Sequence, residues 1–231
     1  MAALQMAIAN IERIDIITEE SSPMVFSFDT AKEASAQAQI SAGAENELRI
    51  KNQILAQNIT EDIVKGFNIS FTDSTFSPDV FALVDGGASS VGSDDSFCKY
   101  SSPTAGEVVS RVRFTIAVYS SEKDYDGNTL SYTGFVFPHA FGTPSSVTLK
   151  DGEFFAPSYT VKSRPSKGGS PMTVLSLPSL PVIVRAAADM PVSPVSGKTC
   201  VLAAADDVNA LGDGITSGTY AVYSSSGYEA I

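Results

Sequence analysis

The chain has no tryptophan, one histidine and two cysteines in 231 residues, and each scarcity closes off a class of function. His139 is the lone imidazole, so no multi-histidine metal set exists, and any imidazole catalysis falls on a residue set between Pro138 and Ala140. No Ser or Cys stands beside it to act as its nucleophile, and it reads as a turn residue. Cys98 and Cys200 cannot define a metal cage or a disulfide framework, and they read as free thiols. No run approaches the ~18 apolar residues of a membrane-spanning helix, which predicts no membrane partner. The opening MAALQMAIANIERIDI lacks a basic leading region and soon meets Glu12 and Arg13, so no signal peptide is expected. Positive charge is scarce too. The 26 acidic residues outnumber the 15 basic ones and leave a net charge of −11. Such a chain repels phosphate backbones, which argues against wrapping nucleic acid. An acidic surface keeps a protein soluble, and it is also a surface past which DNA slides without sticking.

What is present is mostly the vocabulary of strands. Phe67, Ile69 and Phe71 alternate with Asn68, Ser70 and Thr72, the period of a strand with one buried face. Val112, Phe114, Ile116 and Val118 form the strongest such run, and Tyr132–Phe137 returns beside it, making 112–137 a long hairpin with a polar tip at 120–129. From Phe135 to Pro165 the chain reads as strand, turn, strand, turn, strand, with turns at Pro138–Gly142 and at Asp151-Gly152. Strands are expected near 145–150, 154–162 and 172–177, and Val25–Phe28 and Asn46–Leu55 also alternate. Two segments read as helix. One is TAKEASAQAQI at 30–40, rich in Ala and Gln. The other is a short helix over 78–84, with Ser77 as cap, Pro78 at its first position and a stop at Asp85-Gly86-Gly87. Phe81 and Val84 lie three apart on it and share a face, so both are candidate core residues, as are Phe114 and Ile116.

The expected organisation is a mainly β domain over 1–185, with an N-terminal arm at 1–29 and a long Gly/Ser-rich loop at 85–106. A C-terminal extension at 186–231, with strands near 199–202 and 219–223, packs on that domain or protrudes from it. Forty-odd residues bury little core alone.

No constellation amounts to an active site, and no catalytic residue, metal or cofactor is assigned. Asp124-Tyr125-Asp126-Gly127-Asn128 has part of the oxygen spacing of a calcium loop but lacks its closing acidic residue, and reads as a hairpin turn. Gly86-Gly87-Ala88-Ser89-Ser90 lacks the G-x-S-x-G of a nucleophile elbow. Ser166-Lys167-Gly168-Gly169-Ser170 has no helix start after it to hold a phosphate, and reads as a turn. Asn58-Ile59-Thr60 and Asn68-Ile69-Ser70 match glycosylation acceptors, coincidentally if the chain is not exported.

Three blocks in order carry a resemblance. They are ENELRIKNQILAQNITEDIVKGFNISFTD at 45–73, STFSPDVFALVDGG at 74–87, and FPHAFGTPSSVTLKDGEFFAPSYTVKSRPSKGGSPMTVLSLPSLP at 137–181. Together they resemble the major tail (tail tube) proteins of tailed bacteriophages, particularly those of phages and prophages of low-GC Gram-positive bacteria. The linker at 88–106 is longer than that pattern, and the stretch after 186 lies outside it. The resemblance implies an antiparallel β-sandwich or barrel with one short flanking helix, made in the cytoplasm of the bacterial host and built into the virion tail. It implies hexameric rings stacked into a tube that passes double-stranded DNA without specific binding. It also implies contacts with tape measure, tail terminator and baseplate proteins, whether or not a sheath surrounds the tube. On that reading Ser120, Lys123, Asp124, Asp126 and Asn128 are candidates for a loop reaching a neighbouring ring. Asp73, Glu107, Asp124 and Asp126 are candidates for the charge of an acidic lumen. The competing readings are another sheet-rich virion part, such as a baseplate hub or tail-completion protein, and a surface-binding module with Tyr220, Tyr223 and Tyr228 as contacts.

Overall fold

Alternating side chains dominate the computed structural model, which describes residues 5–94, 96–204 and 217–231. Sixteen strands and one α-helix follow each other along them. The first six strands are β1 (Ile8–Thr18), β2 (Val25–Phe28), β3 (Ala31–Ser41), β4 (Glu45–Ile50), β5 (Gln53–Ile59) and β6 (Ile63–Asp73). The helix α1 (Pro78–Asp85) comes next, then β7 (Ala88–Val91), β8 (Phe97–Ser101), β9 (Phe114–Lys123) and β10 (Thr129–Gly142). Then come β11 (Ser158–Ser163), β12 (Thr173–Leu177), β13 (Val182–Val184), β14 (Cys200–Ala203), β15 (Tyr220–Ser224) and β16 (Gly227–Ala230).

The main sheet is antiparallel and runs β2-β1-β9-β10-β11-β6-β3, with β12 paired to the first part of β10. It curls on itself. Phe28 of β2 and Phe71 of β6 are far apart in that order, yet their rings lie 5.8 Å apart, and Phe67 meets Phe137 edge-on at 5.5 Å. Inside the curl Ile14, Ile16, Ile69, Phe71, Phe114 and Ile116 form the core, closed at one end by Val80, Phe81 and Val84 of α1. The result is a mainly β sandwich with one flanking helix. That helix forms as its local chemistry dictates. The Ser77 side chain accepts from the Val80 N–H, Pro78 needs no partner at the first position, and Gly86 ends the helix in the left-handed conformation (φ 85°).

The strand β9 is buried on both faces. Phe114, Ile116 and Val118 enter the first core, while Ala117 and Tyr119 point to a second one, shared with Leu177, Cys200, Leu202 and Tyr220. That second core joins the sheet β13-β14-β15-β16 to the back of the main sheet. The joint is polar at its centre: the Tyr119 and Tyr220 hydroxyls are 2.8 Å apart. Beside them Arg13 Nη2 donates to Asp15 (2.8 Å) and to the Pro181 carbonyl (2.6 Å), and Ser27 donates to Asp15 (2.6 Å). Burial pushes the Asp15 carboxyl above its ordinary range, against the opposing pull of Arg13 and the Ser27 hydroxyl.

Several sequence expectations change. The segment 30–40 is the strand β3, because Ala34, Ala36 and Ala38 face Phe71, Ile69 and Phe67 across a ladder to β6, and pairing overrides the helix preference of Ala and Gln. Residues 8–28 are no arm: β1 is an inner strand with Ile14 and Ile16 fully buried. Pro138 and His139 do not turn the chain. They sit in an irregularity of the β9–β10 ladder between Phe137 and Ala140, His139 at φ 50°, and β10 continues to Gly142. No strand forms at 145–150, where Val147 and Leu149 are exposed, and the strand expected at 154–162 begins only at Ser158. The stretch 85–106 contains the β7–β8 hairpin.

Candidate assembly surface

The ladder of β3 and β6 does not stop where the core stops. The Thr60 N–H donates to the Ala44 carbonyl (2.9 Å), and the Gly43 N–H donates to Asp62 Oδ1 (2.8 Å), carrying the pair outward. A Cβ at Gly43 would lie 1.7 Å from the Thr60 carbonyl oxygen, so this crossing admits only glycine. Beyond it β4 and β5 form a hairpin in which every residue is exposed. Gln57 donates to Glu45 (2.9 Å) and Glu47 (3.0 Å) across this hairpin. The arm nevertheless carries Leu48, Ile50, Ile54, Leu55 and Ile59, each between 52% and 57% exposed. Scattered surface leucines need no explanation, but this many large aliphatic residues on one projecting element mark a contact surface.

A second apolar surface lies at the foot of the arm. Between β3 and β6 on one side and β1, β9, β10 and Met172 just before β12 on the other, the curl leaves an open groove of about 370 Å³. Ile11, Ala34, Phe67, Phe135 and Met172 line it with little polar surface among them, and all five are half-buried.

At the helix end, Asp85 ties three segments together. Its carboxylate accepts from the Tyr100 hydroxyl and from the Ser145 N–H (2.7 Å), and its carbonyl accepts from Arg111 (3.2 Å). Burial and the adjacent Asp85 carboxylate raise the Tyr100 hydroxyl's pKa, so it stays a donor. This clasp holds the β7–β8 hairpin and the strand-free stretch after Gly142 against α1.

The residues singled out in the sequence are scattered. Phe81, Val84, Phe114 and Ile116 are buried. Ser120 is not on a tip: β9 extends through it, and it is buried in the wall of the groove. Lys123 ends β9, with Nζ 2.6 Å from the Thr129 hydroxyl. Only 124–128 form the turn. Asp124 accepts from the N–H groups of Asp126 and Asn128 and from the Asn128 side chain, and these bonds lower its pKa. Asp126 and Asn128 are exposed. Of the lumen candidates, Asp73 is buried, bound by Thr30 (2.5 Å) and Thr75 (3.1 Å), and cannot line a wetted wall. Glu107 is exposed in the stretch before β9. Tyr220 is buried in the joint, so it is no surface contact, whereas Tyr223 and Tyr228 are half-buried with rings 5.1 Å apart. Among the described residues no group of three His, Cys, Asp or Glu side chains could hold a metal ion, and no helix is long and apolar enough to cross a membrane.

The sequence offers 46–55 as one alternating run, and the structure splits it at Lys51-Asn52 into the β4–β5 hairpin. Leu48, Ile50 and Ile54 alternate with charged and amide residues, the pattern of any half-buried strand.

No family model matches the chain, and no curated protein does. A chain in the cryo-EM structure of the anti-feeding prophage (AFP) baseplate, 6-fold symmetrised, is similar over 76% of this chain and 96% of its own length, at 10% identity and a TM-score of 0.37. A likeness of that depth carries no functional argument.

Proposed function

We propose that this chain is a structural subunit of a phage-type tail that works by self-assembly, and that its place is the tail tube. The observation that carries the reading is the arm: the body projects a hairpin of exposed aliphatic residues that it does not cover. An element of this kind makes sense in an assembly that buries it. The resemblance over 45–181 supplies the kind of assembly, six subunits in a ring and rings stacked into a hollow tube that conducts DNA. Contacts of one copy's arm with a different surface of the next generate rings when the rotation closes and filaments when it does not. The tape measure, tail terminator and baseplate proteins of the tail would then be its other partners. The work is done by shape, with no catalysis.

Electron microscopy of the purified full chain, with light scattering over a range of concentrations, tests the reading. Tubes or stacked rings are expected. Single rings that never stack would favour a baseplate or tail-completion part, and monomers at every concentration would sink self-assembly.

A further inference from the structure

We infer that Asp151-Gly152 is a self-modification site, at which the folded chain converts aspartate to isoaspartate with water as its only co-reactant. The inference does not depend on the self-assembling reading. The chain has four Asp-Gly pairs, at 85–86, 126–127, 151–152 and 213–214, and no Asn-Gly pair. A glycine after aspartate has no side chain to hinder attack of its nitrogen on the carboxyl, so by sequence alone the four rank together. The structure separates three of them, and Asp213-Gly214 lies outside the described residues.

Two groups have to be free for the reaction, the Asp carboxyl and the N–H of the glycine that follows. At 85–86 neither is. The Asp85 carboxylate accepts from the Tyr100 hydroxyl and the Ser145 N–H (2.7 Å), and the Gly86 N–H donates to the Ala82 carbonyl (2.8 Å). Asp126 and Gly127 are exposed, but the Gly127 N–H closes its turn onto the Asp124 carbonyl (3.1 Å). Asp151 and Gly152 differ on both counts. Both are exposed, and among the described residues no hydrogen bond or ion pair holds the Asp151 carboxylate or the Gly152 N–H. The place of Gly152 in its turn explains this. The Lys150 carbonyl accepts from the Glu153 N–H (3.4 Å), and Gly152 takes the third position at φ 76°, whose N–H lies outside the turn's own bond.

The step balances without an oxidant or a catalyst. The Gly152 nitrogen attacks Cγ of Asp151 and an N–C bond forms. The carboxyl, carrying its proton, gives up its OH, which departs as water with the amide hydrogen, and a cyclic imide closes. Water then adds at either imide carbonyl. Breaking the new Cγ–N bond restores aspartate. Breaking the original peptide bond instead leaves the chain running through Cβ and Cγ, which is isoaspartate. Mass and charge are those of the starting chain, but the backbone is longer by a methylene. The turn bond and the Lys150–Glu153 ion pair (3.4 Å) both span the lengthened link, so the turn opens in the product.

Ageing the purified full chain tests the site. The protein is kept warm at neutral pH and sampled by peptide mapping, in which isoaspartate shifts a peptide's retention at unchanged mass. Isoaspartate at 151 is expected to accumulate roughly fivefold or more faster than at 126, the factor set by one hydrogen bond that must open to free Gly127. None is expected at 85 over the same period. In urea, where the turns are lost, the three rates should converge. A second measurement follows the same ring closure through charge. Asp151→Asn should lose ammonia through the same imide and return to the wild-type position on isoelectric focusing, well ahead of Asp126→Asn. Equal rates at 151 and 126 in the folded chain would overturn the inference. So would a folded chain that stays unmodified at 151 while the urea sample converts. Neither result bears on whether the chain assembles.

Discussion

Phe81 shows how much of the subunit hangs on single side chains. It is 6% exposed and its ring lies 4.9 Å from Tyr100 and 6.3 Å from Tyr159, so α1 is anchored through it to both the sandwich and the β7–β8 hairpin. Replacing it with Ala should cost about 3–5 kcal/mol in chemical denaturation, and a loss below about 1 kcal/mol would mean that the site collapses to fill the space. Asp15 makes a different case. Its carboxyl is raised above 3.8 by burial, so the native state holds its proton more tightly than the unfolded chain does. The stabilisation from that proton is present below the ordinary carboxylate range and is lost as pH rises through the raised native value. Arg13, Ser27, Tyr119 and Tyr220 surround it, and neither tyrosine is ionised at neutral pH, burial raising both. Wild type should therefore gain stability relative to Asp15→Asn as pH falls from neutrality towards 4, measured by urea unfolding at matched ionic strength. A difference that shrinks or stays constant would assign the dominant influence to Arg13.

At the level of elements, glycines separate two kinds of junction. Gly142 ends β10 under the helix, and a Cβ there would sit 1.9 Å from the Val84 carbonyl oxygen. Gly127 is in the 124–128 turn with φ 83° and open space around it. Gly127→Ala should cost only the left-handed backbone strain, about 1 kcal/mol. Gly142→Ala must lift α1 off the sheet and should cost about 3 kcal/mol by thermal unfolding. Equal losses would show that the helix seat yields. Elements governed by neighbours in sequence were legible from the residues alone. Ser77-Pro78 starts α1, Gly86 stops it, and Phe67, Ile69 and Phe71 alternate as a strand does. Elements governed by distant partners were not. The Ala and Gln of β3 are drawn into a strand only by β6, and Asp73 is buried because Thr30, 43 residues away, satisfies it. Alternation in the arm tells which residues share a face, but it cannot tell whether anything covers that face.

For the whole molecule, the balance of charge makes a prediction for the tube proposed above. A subunit of net charge −11 that forms a conduit should let duplex DNA pass without adsorbing to it. Assembled particles should leave the electrophoretic mobility of a short duplex unchanged even at low ionic strength, where attraction to basic patches is least screened. A retarded band would place a cluster of the 15 basic residues on the surface that DNA meets.

The two thiols, set in unlike surroundings, give the molecule a built-in clock. Cys98 is exposed on β8, while Cys200 is fully buried in the joint between the sheets, where burial pushes its thiol up to about 12. An alkylating reagent at neutral pH should consume Cys98 at once and Cys200 only at the rate at which the C-terminal sheet parts from β9. The second phase then times that opening without any engineered probe. Tyr220→Phe, which removes a hydroxyl from the joint, should quicken the second phase and leave the first untouched. Simultaneous alkylation of both thiols would show the joint already open in solution.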